Sequence, residues 1–144
     1  MSCAVDANIL LYASDEASPF HRPALELVKA MAAGPEIAYL FWPAVMAYLR
    51  ISTQPAVFGR PLAAAEAIGN IEQLLGRPHL PSPGEQDGFW RRYREAVGDA
   101  ITSGNLVPDA HLVALMLEND VRTIWTHDRD FRRFSLIEVR DPFP

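Results

Sequence analysis

The sequence predicts an α/β fold in which helices cover a parallel β-sheet. Short apolar runs rich in β-branched or aromatic residues alternate with longer stretches of helical period, and this alternation is typical of parallel sheets. The chain has 144 residues, 49% of them hydrophobic, which is the size of one ordinary domain. We find no repeat, low-complexity segment or linker, so we predict a single domain over residues 1–144.

The first half of the chain is predicted to alternate strands and helices, because proline is favoured in a first helical turn and glycine just past a helix end. The clearest helix follows Pro61, with Gly76 just past its end. The other segments, in order, are a strand opened by Ala4-Val5 that ends in a turn at Asp6, a helix after Pro23 that stops at Gly34-Pro35, a strand over residues 37–41, and a helix from Pro43 through Ile51.

The second half of the chain repeats this pattern. Residues 77–84 are too rich in proline for more than a very short strand. In residues 85–101, Phe89, Tyr93 and Val97 recur every four positions with arginines between them, which predicts an amphipathic helix with a basic flank. The remaining segments are a helix beginning at Pro108-Asp109, a strand "VRTIWT" ending at Thr126, a polar turn or short helix "HDRDFRRF", and a last strand "LIEVRD".

Composition limits the partners and the compartment. A net charge of −5 argues against nucleic acid, although the chain has two arginine clusters that could form local basic patches: Arg91, Arg92 and Arg94, and Arg129, Arg132 and Arg133. The single cysteine, Cys3, cannot form an internal disulfide. No segment approaches the ~18 to 20 continuous apolar residues of a membrane helix. We therefore expect a cytoplasmic protein.

Each acidic residue near a predicted strand end has an ordinary structural explanation when taken alone. Asp109 directly precedes a helical run and could cap it. Asp128 and Asp130 lie in a polar turn, where aspartate bonds its own backbone. Asp6 is less easily explained, because ligands of α/β proteins bind at the carboxyl ends of the strands.

Taken together, these positions predict a metal site. Asp6, Thr126 and Asp128 all follow strand ends, and Asp109 starts a helix that could face the same edge. Three converging carboxylates repel one another unless a cation lies among them. Oxygen ligands without cysteine or paired histidines suit Mg²⁺ or Mn²⁺, which predicts phosphodiester hydrolysis.

Four segments of the chain resemble PIN-domain ribonucleases of the VapC toxin type, in a mycobacterial-like subgroup. They occur in the family's order and spacing, and they are "VDANILLYA" (5–13), "WPAVMAYLRISTQPAVFGRPL" (42–62), "GNLVPDAHLVALMLEND" (104–120) and "TIWTHDRDFRRFSLIEVRDPF" (123–143). The resemblance implies a three-layer α/β/α sandwich, a homodimer, and a Mg²⁺- or Mn²⁺-dependent endoribonuclease of a type II toxin–antitoxin system. Its RNA substrate would be tRNA, rRNA or mRNA, and a cognate antitoxin would silence it.

The resemblance also implies roles for individual residues. Asp6, Asp109 and Asp128 match the metal-binding, catalytic carboxylates. Asn8 and Thr126 match polar residues that orient them, and Asp130 matches a structural or supporting aspartate of the same motif.

One position departs from the family pattern. Many PIN nucleases carry a glutamate three residues before an arginine on the helix after the second strand, but Ala47 stands three residues before Arg50. The alternative to an active nuclease is therefore a weak or inactive PIN domain that binds RNA or protein without cutting. A small-molecule phosphatase is the weakest alternative, because Asp6-Ala7-Asn8 lacks a second aspartate.

An antitoxin would need a docking surface. Four aromatic residues are candidates for an apolar groove that accepts an antitoxin helix, although each taken alone is better explained as core: Phe41, Trp42, Tyr48 and Phe58.

Overall fold

The structure is a computed structural model that describes residues 2–55, 59–98 and 102–143. The strands of this part of the chain form one sheet: β1 (Cys3–Val5), β2 (Ala38–Tyr39), β3 (Thr123–Trp125) and β4 (Glu138–Arg140). They lie in the order β2-β1-β3-β4, and each neighbouring pair is parallel. The sheet therefore has a single carboxyl edge, with β1 and β3 at its centre.

Helices fill the connections between these strands. They are α1 (Ala7–Ser14), α2 (His21–Ala33), α3 (Trp42–Ser52), α4 (Ala64–Leu75), α5 (Phe89–Val97) and α6 (Leu106–Glu118). A short 3₁₀ helix, Arg129–Arg133, follows β3, as the polar segment there predicts. None of the helices described has the length and hydrophobicity that a bilayer crossing requires.

Alternate residues of the central strands face different helix layers. Ala4 and Ile124 belong to a buried cluster with residues of α5 and α6. Val5 belongs to a second buried cluster with residues of α1, α2, α3 and α4, and Trp125 packs against it. Because side chains alternate between the two faces of a strand, the sheet is covered on both sides, which confirms the three-layer α/β/α fold.

The segment after β1 is a helix rather than the predicted turn. The chain enters α1 at Ala7, and Asp6 is its N-cap: Oδ1 of Asp6 accepts the Ala7 N–H at 2.7 Å. Ile9 and Leu10 are buried on this helix. The prediction of a turn at Asp6 was wrong because one short apolar run contains both a strand end and a helical face.

Helix α6 begins two residues earlier than predicted, at Leu106. Asn105 occupies the N-cap position and Asp109 lies in the first helical turn. The interpretation of Asp109 as a helix cap is therefore wrong. Its position within the turn still places a carboxylate near the positive end of the helix dipole.

One further prediction is confirmed and one needs correction. The proline-rich residues 77–84 form no strand, as their composition predicts, although the N–H groups of Ala38 and Leu40 donate to the carbonyls of His79 and Pro81 at 2.9 Å and so satisfy the edge of β2. The amphipathic helix predicted for residues 85–101 spans only Phe89–Val97, and residues 99–101 lie outside the described part.

Two of the four aromatic residues considered for an antitoxin groove lie in the core. Phe41 and Tyr48 are 0% and 1% exposed, whereas Trp42 reaches the surface, with 37% of it exposed. Phe58 lies outside the described residues. The core explanation is therefore correct for Phe41 and Tyr48.

Candidate active site

Two neighbouring strand ends create the site. Asp6 follows β1 and Thr126 follows β3, and the Asp6 N–H donates to the Trp125 carbonyl at 3.0 Å. Parallel pairing of β1 with β3 thus brings together residues that are 120 positions apart. Both side chains emerge at the carboxyl edge, where α/β proteins bind ligands.

The Thr126 hydroxyl connects the polar groups at this edge. Its Oγ1 donates to Oδ2 of Asp6 at 2.8 Å, and accepts from Nδ2 of Asn8 at 3.1 Å and from the Asp128 N–H at 3.0 Å. Thr126 is fully buried. The His127 N–H donates in turn to Oδ1 of Asn8 at 3.4 Å. The hydroxyl therefore fixes the orientation of Asp6 and the path of the loop that carries Asp128.

Three carboxylates form a close group beside this network. One oxygen each from Asp109, Asp128 and Asp130 lies within 4.8 Å of the others. The Asp130 N–H donates to Oδ1 of Asp128 at 2.9 Å, so the 3₁₀ turn holds these two aspartates together. Asp130 also faces the exposed Arg133, with 3.8 Å between Oδ1 and Nε.

Electrostatics link Asp6 to this group. Burial, together with the smaller effect of the charges of Asp6, Asp128 and Asp130, raises the pKa of Asp109 to about 7. Burial also raises the pKa of Asp6 to about 6, against the opposing effect of its hydrogen bonds from Thr126 and Ala7. Two carboxyl groups thus keep their protons to a higher pH than an ordinary aspartate does, which is expected where acids gather without a counter-charge.

The donor set fits a hard divalent cation. The close group offers carboxylate oxygens alone, and Asp6 adds a fourth carboxylate within electrostatic reach. Oxygen ligands of this kind favour Mg²⁺, Mn²⁺ or Ca²⁺ over zinc. The acidic cluster is thus able to hold a metal.

The six site residues predicted from the sequence all lie at the carboxyl edge of the sheet. They form two subsets. Asp6, Asn8 and Thr126 share hydrogen bonds. The close carboxylate group contains Asp130, which we predicted to have a supporting role, together with Asp109 and Asp128. The assignment of ligand roles among the four aspartates stays a prediction.

Sequence reasoning missed a histidine–aspartate pair beside the site. Nδ1 of His127 lies 3.0 and 2.9 Å from the two carboxylate oxygens of Asp141. Its ring packs on Phe20 and Phe143, with centroids 4.9 and 5.4 Å away. The partners come from three separate segments, so no spacing in the sequence could have indicated this contact.

Fold and site together define the class of protein: a parallel α/β protein with clustered carboxylates at the carboxyl edge of its sheet. The chain is 50% identical to ribonuclease VapC48 of Mycobacterium tuberculosis over 143 residues, covering 99% of each chain. It is 34% identical to ribonuclease VapC37 of the same organism over 142 residues, covering 96% of this chain and 95% of the relative. The protein belongs to the VapC family of ribonucleases. No family model matches the sequence.

Solved structures share the fold. VapBC2 of Rickettsia felis, in a crystal with a DNA fragment from its promoter, superposes with a TM-score of 0.68 at 14% identity, covering 98% of each chain. VapC20 of Mycobacterium tuberculosis, a toxin that cleaves the sarcin-ricin loop, gives 0.67 at 15% identity, covering 96% of this chain and 98% of that one. These likenesses support the PIN-type architecture that the four motif segments imply.

Proposed function

We propose that this chain is a Mg²⁺- or Mn²⁺-dependent endoribonuclease, the toxin of a type II toxin–antitoxin pair, which cuts tRNA, rRNA or mRNA in the cytoplasm. Its place in the VapC family supports hydrolysis of RNA phosphodiesters. One observation carries the metal dependence: the close group of Asp109, Asp128 and Asp130, with the charge of Asp6 acting on Asp109.

The cation would be held by Asp6, Asp109 and Asp128, with Asp130 as a fourth candidate ligand. Mg²⁺ commonly keeps several waters and needs only one or two carboxylates. The chain therefore has enough oxygen ligands without the glutamate that Ala47 replaces. When bound, the cation would polarise the phosphodiester and activate water for attack.

The chain's own groups prepare this site. Thr126 and Asn8 fix the orientation of Asp6 through the hydrogen bonds described above. Asp109 would lose its proton when the cation occupies the site. The attraction of the positive charge for the carboxylate would outweigh the burial and the repulsion that raise the pKa of Asp109. The 3₁₀ turn keeps Asp128 and Asp130 on the same side of the pocket.

An RNA cleavage assay tests the proposal. Purified protein is incubated with total RNA in Mg²⁺, in Mn²⁺ and in excess EDTA, and the new 5′ ends are mapped. We expect cleavage only with the divalent ion, and a loss of at least 100-fold in Asp6→Asn and Asp109→Asn, since ligand loss removes the metal's contribution.

The matched control is Asp120→Asn. Its side chain is 92% exposed and belongs to neither the carboxylate group nor the hydrogen-bond network, so it should cleave like the parent. Full activity of Asp109→Asn, or cleavage that survives EDTA, would refute the proposal.

The alternative, a PIN domain that binds without cutting, is favoured only by Ala47. It predicts unchanged RNA ends in every metal condition together with measurable RNA binding. The same assay therefore separates the two functions.

We propose that the antitoxin docks in a groove between α1, α2 and α4. This groove has a volume of about 350 Å³, and Leu10, Leu25 and Ile71 line it. Tyr48 also contributes to the lining, where its hydroxyl bonds Ser14 and Asn70 at 2.8 and 3.1 Å. An apolar helix face suits such a groove. A cognate antitoxin should inhibit the parent but not Leu25→Glu.

We propose that the protein forms a homodimer through the outer faces of α3 and α6. Trp42, Met46 and Val107 leave 37%, 54% and 43% of their surfaces exposed on these contacting helices. Exposed apolar patches of this kind mark interfaces. Met46→Lys should therefore shift the sedimentation coefficient towards the monomer.

A further inference from the structure

Helix α5 presents an aromatic platform to solvent. Trp90 is 65% exposed, the highest value among the large apolar side chains that the structure describes. Its ring stacks on Tyr93, with centroids 5.4 Å apart and planes 12° from parallel. Tyr93 itself packs against the buried cluster under α5, so the core supports the platform from below.

The helix that carries this platform has a net positive charge in an acidic protein. Helix α5 carries three arginines and one glutamate, a net charge of +2, while the whole chain carries −5. Arg92 pairs with Glu95 at 2.9 Å. Arg91 and Arg94 are exposed and form no ion pair with any residue that the structure describes. Two acidic side chains, Asp87 and Glu118, line the same surface pocket as Arg91, so the positive charge is that of the helix itself.

The platform belongs to the helix layer that carries part of the acidic site. Helix α5 packs on α6. The ring of Phe89, next to Trp90, meets His111 edge-on with centroids 5.2 Å apart. His111 lies two residues after Asp109 on α6, so the platform and the acidic site are carried by the same helix pair but lie on different sides of α6.

We propose that Trp90 and Tyr93 form a stacking platform for an unpaired base of RNA, and that Arg91 and Arg94 contact the adjoining phosphates. An exposed aromatic ring beside unpaired cations is the combination that binds single-stranded nucleic acid, since every base has a π-face and every linkage a negative charge. Bases within a duplex are already stacked, so the platform selects loops and single strands. This inference rests on the proposed function for its substrate.

The test measures binding apart from cleavage. In the Asp109→Asn background, which keeps the RNA intact, fluorescence anisotropy gives the Kd for a labelled single-stranded 12-nucleotide RNA and for a blunt-ended RNA duplex of the same length. We expect Trp90→Ala to weaken single-strand binding about tenfold, which corresponds to the stacking of one base. Trp90→Phe should retain most of the affinity, and Arg94→Ala should lower the slope of log K against log salt by about one.

The control is Ile68→Ala, which removes an apolar side chain of similar exposure, 47%, from α4 in the opposite helix layer. An unchanged Kd in Trp90→Ala, or an equal loss of affinity for duplex and single strand, would overturn the proposal. So would a change in sedimentation with no change in Kd, which would identify the platform as a contact between two copies of the chain.

These outcomes separate the two proposals. If the parent binds single strands through Trp90 but never cleaves, the nuclease function fails and the platform stands. If the parent cleaves and Trp90→Ala has no effect on Kd, only the platform fails.

Discussion

Thr126 makes more contacts with the acidic site than any other single hydroxyl described. It donates to Asp6 and accepts from Asn8 and from the backbone of Asp128, with no exposed surface. Threonine satisfies all three partners because its hydroxyl is one donor and two acceptors. Removing it leaves an oxygen of Asp6, the amide of Asn8 and the Asp128 N–H without this partner in a partly buried site.

We predict that Thr126→Val lowers the free energy of unfolding by about 1–3 kcal/mol, the cost of buried polar groups that lose their partner. Thr126→Ser keeps the hydroxyl and should lose much less. Urea unfolding of both variants at pH 7.5 measures the difference. Equal stability of Thr126→Val and the parent would show that the hydroxyl does not organise the site.

The raised pKa values of Asp109 and Asp6 determine how stability changes with pH. The folded protein binds protons on these groups up to about pH 7 and pH 6, whereas the unfolded chain releases them near pH 4. The folded state therefore binds more protons in this window, and stability falls as pH rises through it.

We predict that the metal-free protein loses stability between about pH 4 and pH 7, and that Asp109→Asn flattens this loss. At pH 7.5 the variant should be more stable than the parent by about 1–2 kcal/mol, less than the whole shift implies because water reaches part of the side chain. Thermal unfolding in EDTA across this range measures it. An identical pH profile for both proteins would contradict the electrostatic account.

The segment that follows β4 contacts the loop that follows β3 and fixes its position. Asp141 accepts from His127, and its Oδ1 also accepts the Phe143 N–H at 2.9 Å. The ring of His127 completes an aromatic cluster with Tyr12, Phe20 and Phe143. The loop that carries Asp128 is thereby fixed to α1, to the start of α2 and to the end of the chain.

We predict that His127→Ala lowers the free energy of unfolding by about 1–2 kcal/mol, because it removes both packing and a hydrogen bond. His111→Ala is the matched control. His111 also pairs with an acid, Glu85, but this pair is more exposed than the His127–Asp141 pair. Among the residues described, the His111 ring meets only one aromatic ring, that of Phe89. The loss of His111 should therefore cost less than that of His127, below about 1 kcal/mol. Equal effects of the two substitutions would show that the aromatic cluster adds nothing.

The elements differ in how far the sequence predicts them. The strands are found at the predicted places because each is a short apolar run between turn residues. Helix α1 is not predictable from the sequence, because "NILLYA" fits a strand and a helix equally well at that length. The edge that carries the aspartates follows from the parallel order of the strands. The local turn that sets Asp130 beside Asp128, and the tertiary packing that brings His127 to Asp141, leave no periodic signal in the sequence.

The strand order of the sheet brings distant parts of the chain together at the site. The order β2-β1-β3-β4 places the ends of β1 and β3 side by side, and α6 brings Asp109 to the same edge. The two buried clusters hold these elements from opposite faces of a sheet whose strands have only two or three residues each. Packing of the helices on the sheet therefore positions the site residues as much as strand pairing does.

The aspartates at this edge should bind a divalent cation, a claim that titration calorimetry with Mn²⁺ at pH 7.5 tests. We predict a saturable binding isotherm for the parent and for Asp120→Asn. Binding should be lost or weakened at least tenfold in Asp109→Asn, because the variant lacks a ligand of the close group. The same Kd for Asp109→Asn and the parent would contradict the claim.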